Sequence, residues 1–110
     1  MASFSTHVLD TSAGRPAAGL HLTLESTDGT VLADAVTDED GRVGTLAPDL
    51  PSGDHRIRFD TGDWFAGQGV EAFYPEVVVA FTVGGDDPRD QHVHVPLLLS
   101  PFGYSTYRGS

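Results

Sequence analysis

The sequence predicts an all-β protein. Apolar and polar residues alternate with a period of two in several short runs, and Gly and Pro recur between those runs at short intervals. No stretch sustains a 3.6-residue apolar period, so helix is confined to one short candidate.

Leu20, Leu22 and Leu24 alternate with His21, Thr23 and Glu25, the pattern of a strand with one buried face. Asp28-Gly29 turns the chain, and Val31 to Thr37 reads as the returning strand. Asp38-Glu39-Asp40-Gly41 makes the next turn, where Gly41 supplies positive φ without steric penalty. Its acidic residues suggest a calcium loop, but aligning Gly41 with that loop's glycine puts Val36 and Ala47 at the first and last ligand positions. A plain turn is therefore expected, with a strand resuming from Arg42 to Leu46.

Ile57 and Phe59 alternate with Arg56, Arg58 and Asp60 in a strand that ends at Thr61-Gly62-Asp63. Trp64 to Ala72 is the helix candidate, with Asp63 as its N-cap, Gly67 and Gly69 weakening it, and Tyr74-Pro75 ending it. Val77, Val79, Phe81 and Val83 share a strand face ahead of a Gly84-Gly85-Asp86-Asp87-Pro88 turn. From Gln91 to Leu99, Val93, Val95, Leu97 and Leu99 lie on one face and His92, His94, Pro96 and Leu98 on the other. The valine and leucine face is expected in the core. That leaves His92 and His94 side by side on the outer face, where a ligand or a partner subunit can meet them. Ser100-Pro101-Phe102-Gly103 then turns the chain into a last strand, Tyr104 to Ser110.

A chain of 110 residues fits one domain, 1–110, with a single modest core. Cysteine is absent, which excludes disulfides, thiolate ligands and cysteine nucleophiles. Sixteen acidic residues face six arginines and no lysine, a formal net charge of −10. Nucleic acid is an unsuitable partner for such a surface, because binding needs cations that displace phosphate counterions. An arginine in a pocket would stand out as a site for an electron-rich ligand. No run reaches membrane-spanning length and the start carries no signal-peptide pattern, so a cytoplasmic protein without membrane contact is expected.

The His92-x-His94 pair leaves three readings open: a zinc site completed by a third histidine such as His7, a proton-transfer pair, or polar residues of a surface or interface. His21 and His55, on ordinary strands, read as structural. No G-x-S-x-G elbow, P-loop or dinucleotide fingerprint occurs.

Three segments remain: Ser5-Thr6-His7-Val8-Leu9-Asp10, Asp40-Gly41-Arg42, and His92-Val93-His94-Val95-Pro96-Leu97-Leu98-Leu99-Ser100-Pro101 leading to Tyr107-Arg108-Gly109-Ser110. In these, and along essentially the whole chain, the sequence resembles the 5-hydroxyisourate hydrolases, the enzyme branch of the transthyretin-like proteins. The ending Tyr107-Arg108-Gly109-Ser110 is the most specific element, since it matches the enzymes' signature and hormone-carrying transthyretins lack it. The resemblance implies catalytic roles for His7, Arg42, His94 and Ser110, and substrate binding by Tyr107, Arg42 and His92. It further implies a sandwich of two four-stranded sheets with one short helix, no metal or cofactor, and a homotetramer, a dimer of dimers with active sites in channels where dimers meet. The expected reaction, in urate breakdown, is hydrolysis of 5-hydroxyisourate to 2-oxo-4-hydroxy-4-carboxy-5-ureidoimidazoline by histidine-assisted attack of water on a ring carbonyl. Histidine suits the base, with an ordinary pKa near ~6.5, and Arg42, which stays protonated, suits the substrate oxygens. The alternative is a carrier on the same sandwich that holds a small ligand and breaks no bond.

Overall fold

The computed structural model describes residues 2–84 and 92–109. In chain order the elements are β1 (Ala2–Asp10), β2 (Arg15–Pro16), β3 (His21–Ser26), β4 (Val31–Val36), β5 (Arg42–Leu50), β6 (Gly53–Phe59), α1 (Thr61–Ala66), β7 (Val77–Val83), β8 (His92–Ser100) and β9 (Gly103–Thr106). They form two sheets. One is antiparallel in the order β4-β3-β6-β7. In the other, β1 pairs in parallel with β8, and β8 pairs antiparallel with β9. A strand has only two edges, so β5 and the two-residue β2 share the remaining edge of β1, each antiparallel to it. That sheet is thus four strands wide, and the expected sandwich of two four-stranded layers with one short helix is what the chain forms.

The period-two alternation sets the core. Leu22 and Leu24 of β3, Ile57 and Phe59 of β6, and Val77 and Val83 of β7 meet Phe4 and Val8 of β1 and Val93, Val95, Leu97 and Leu99 of β8 in one buried cluster. Burying each such side chain stabilises the fold by about 1.5–3 kcal/mol relative to exposure. Since β8 commits its valines and leucines inward, the pleat turns His92 and His94 outward, as the alternation requires. Phe4 and Phe81 stack across the sheets at 5.0 Å, and buried His55 stacks on Phe81 at 5.8 Å, a packing role.

Several boundaries differ from expectation, and β5 runs on to Leu50 rather than stopping at Leu46. The helix spans Thr61–Ala66 rather than Trp64 to Ala72, because Gly67 takes the C-cap position and Gly69, at φ +71°, turns the chain away. Asp63 lies in its first turn rather than at the N-cap, which falls on Asp60, and the Asp60 carboxylate bonds the His21 ring instead of the helix N–H groups. The last strand ends at Thr106, and Gly109 makes a separate bridge back to His94. The turn expected at Gly84–Pro88 and the start of β8 at Gln91 fall largely on residues 85–91, outside the described residues, as does Ser110. Among the described residues no helix is long and apolar enough to cross a membrane.

Candidate active site

The outer face of β5, β1 and β8 collects the chemistry. Register places His7 opposite Arg42 on one side, while Ser3 and Ser5 lie opposite His92 and His94 on the other. Residues two apart on β1 share a face, so Ser3, Ser5 and His7 look the same way as the two β8 histidines. Ser5, Arg42, Gly44, His92 and His94 line an open depression of about 300 Å³.

Arg42 owes its place to the turn before it. The Asp38 carboxylate accepts hydrogen bonds from the backbone N–H of both Asp40 and Arg42, each at 2.9 Å. Gly41 at φ +74° then brings its carbonyl to 2.7 Å from the Val8 N–H, docking the turn on β1. A Cβ on Gly41 would stand 2.3 Å from the Val8 carbonyl oxygen, so only glycine fits. This turn also presents the Asp40 carbonyl to His7 Nε2 at 2.9 Å. A carbonyl only accepts, so Nε2 carries a proton, and in the neutral form of the ring the lone pair lies at Nδ1.

His94 is half-buried, and its Nδ1 lies 2.8 Å from Ser5 Oγ. Burial lowers its pKa from the usual 6.5, and repulsion from His92 and His7 in their charged forms, and from Arg42, lowers it further. The neutral, basic ring is the form the site favours. Gly109 closes over this ring: its N–H donates to the His94 carbonyl at 2.8 Å, and a Cβ there would fall 2.5 Å from His94 Cδ2.

His92, the outermost of the set, has Nδ1 2.5 Å from Ser3 Oγ and Nε2 2.8 Å from Ser5 Oγ. Both its nitrogens are therefore engaged by hydroxyls, an arrangement that suits proton exchange better than metal ligation. Among the described residues no group of three or more His, Cys, Asp and Glu side chains is arranged to hold a metal ion.

The structure thus gathers His7, Arg42, His92 and His94 from three strands. Tyr107 is not brought into this depression: it is 58% exposed and borders a second hollow of about 310 Å³, between the β7 and β9 edges and floored by Val93 and Val95. Sequence reasoning assigned no role to Ser3, Ser5, the Asp40 carbonyl or the close approach of Gly109. The serines had a signal, their period-two spacing from His7; the other two depend on long-range register.

The same site set lies within a recognisable family pattern. Residues 4–109 match the profile of the HIUase/Transthyretin family. A 5-hydroxyisourate hydrolase of Caulobacter vibrioides is 44% identical, with both chains covered in full. Among solved structures, 5-hydroxyisourate hydrolase of Klebsiella pneumoniae superposes with a TM-score of 0.90 at 39% identity, covering 99% of this chain and 100% of that one. Sea bream transthyretin in complex with thyroxine superposes at 0.87 with 31% identity, covering 96% and 93%. On sequence along nearly its whole length and on fold alike, the chain belongs to the HIUase/Transthyretin family.

Proposed function

We infer that this chain is a 5-hydroxyisourate hydrolase acting in urate breakdown. The observation that carries the reading is the meeting of His7, Arg42 and His94 on one face, from stretches far apart in sequence, in a chain whose full-length relatives bear that name. His94, kept neutral by burial, takes a proton from water as the water oxygen adds to the ring carbonyl carbon. The C–N bond then breaks, the new C–O bond remains, and the proton passes from His94 to the departing nitrogen. The Arg42 guanidinium holds the substrate oxygens and offsets the negative charge that develops on the carbonyl oxygen. His7, tied to the Asp40 carbonyl through Nε2, offers Nδ1 to orient the water. No step calls on a cofactor.

Tyr107 and Ser110 belong to the proposal as substrate contacts, on the strength of the terminal motif. The distance of Tyr107 from the depression favours a site completed by another copy, in a homotetramer built as a dimer of dimers. Residues 1–110 form one domain in this reading, supported by a single core drawn from both sheets. We assign it to the cytoplasm, since a chain without cysteine gains nothing from an oxidising compartment.

The test is to generate 5-hydroxyisourate with urate oxidase and follow its ultraviolet decay. Wild-type protein is expected to accelerate the decay, and His7→Ala, Arg42→Ala and His94→Ala each to reduce turnover by at least about 10²-fold while staying folded. Saturable binding with no change in decay would instead mark a carrier, the reading that the thyroxine complex of sea bream transthyretin favours.

A further inference from the structure

We propose that Ser5 is a positioning residue whose hydroxyl fixes His94 as the Nδ1–H tautomer, so that His94 Nε2 presents its lone pair to the depression. The inference rests on the hydrolase reading for its consequence, but its geometry stands apart from it.

Ser5 is 6% exposed, and its Oγ stands 2.8 Å from His94 Nδ1 and 2.8 Å from His92 Nε2. A hydroxyl has one proton, so both contacts are satisfied only if one facing nitrogen is protonated and the other is bare. The two rings are thereby coupled. In one state His94 Nδ1–H donates to Ser5, Ser5 donates to His92 Nε2, and His92 Nδ1–H donates to Ser3 Oγ, 2.5 Å away. Every partner is then used and His94 Nε2 is left bare. The reverse state runs all three donors the other way and puts a proton on His94 Nε2, where it would block base catalysis.

The hydrolase reading selects the first state, because only there does His94 Nε2 stand bare to take the water proton while Ser5 Oγ holds Nδ1. With the tautomer set in the ground state, the ring accepts the water proton without first rearranging.

The experiment has two independent readouts. In protein with ¹⁵N-labelled histidine, wild-type His94 is expected to show a protonated Nδ1 and an unprotonated Nε2. Ser5→Ala is expected to lose that bias, and Ser5→Thr, which keeps the hydroxyl, to retain it. In the decay assay Ser5→Ala should lose about 10-fold in kcat with KM little changed, the order expected for one hydrogen bond to a group that becomes charged. An Nε2–H tautomer in the wild type, or an unchanged tautomer and kcat in folded Ser5→Ala, overturns the proposal. If wild-type protein fails to hydrolyse 5-hydroxyisourate, the hydrolase reading falls while the nitrogen spectrum still decides the role of Ser5. Should Ser5→Ala fail to fold, the Ser5→Cys variant replaces it, with a weak S–H donor expected to weaken the bias.

Discussion

His94 and His21 are the two histidines whose surroundings move their charge in opposite directions. Burial, then His92, His7 and Arg42, lower the pKa of His94, whereas the hydrogen bond that His21 donates to Asp60 raises that of His21. A ring with a lowered folded pKa binds fewer protons when folded, so its contribution to stability is present above pH 6.5 and is lost as pH falls toward the folded value. His21 does the reverse: its contribution is present below 6.5 and is lost as pH rises through its raised pKa. Its side chain is 44% exposed, so solvent screening keeps that effect small. For His94 the consequence is catalytic, and the acid limb of kcat/KM is expected below pH 6.5. Replacing its like-charged neighbour, His92→Gln, should move the His94 midpoint in an NMR titration upward. A midpoint at or above 6.5 in the wild type would remove the argument that burial keeps the base neutral.

The turn between β4 and β5 shows how an element rather than a side chain builds the site. Gly41→Ala is expected to destabilise the protein by at least ~2 kcal/mol, since a left-handed conformation disfavours a Cβ and a contact of 2.3 Å with the Val8 carbonyl pushes the turn off β1. Turnover should fall with it, because Arg42 and the Asp40 carbonyl move together. Gly29→Ala is the control: φ is +88° there but no atom lies within 4 Å, so a smaller stability loss and full activity are expected in urea denaturation and decay assays. Equal effects of the two would mean that the docking on β1 contributes nothing. The sequence made this turn legible through Asp38 and Gly41, and it made β8 legible through alternation strong enough to assign both faces. It left β1 unmarked, although β1 is the centre of its sheet, because its inward face mixes Phe4 and Val8 with Thr6 and Asp10. Those polar groups are buried by local satisfaction: Thr6 donates to the Val95 carbonyl at 2.6 Å, and Asp10 accepts from Ser12 and Ala13. The helix start was misplaced for a related reason, since Asp60 spends its carboxylate on His21 from a neighbouring strand. Likewise the outward face of His94 followed from its own strand, but its neighbours Ser5 and Arg42 follow from pairings that no local pattern encodes.

At the scale of the whole molecule, the depression is too open to exclude water, and a base with an oxyanion partner works best in a closed, dry site. On one side the sandwich ends on the edge strands β7 and β9, which among the described residues have no further strand paired to them, and such edges are templates for association. Around them stand Phe102 at 69% exposure, Tyr104 at 43% and Tyr107 at 58%, more aromatic surface than an isolated chain has reason to show water. Association through these surfaces would bring Tyr107 of one copy toward the open face of another, supplying the closure that a single chain lacks. Each copy carries a net charge of −10, so copies repel at low ionic strength and their association should strengthen as salt screens that repulsion. Sedimentation is expected to find four copies per particle at physiological salt, and Phe102→Glu with Tyr104→Glu to yield smaller species that hydrolyse 5-hydroxyisourate at least about 10-fold more slowly. The substitutions leave His7, Arg42 and His94 untouched, so slow turnover in a folded, dissociated protein would locate the missing contribution across an interface. Full activity in that dissociated protein would instead mean that one chain holds a complete site, and the role given to association would be withdrawn.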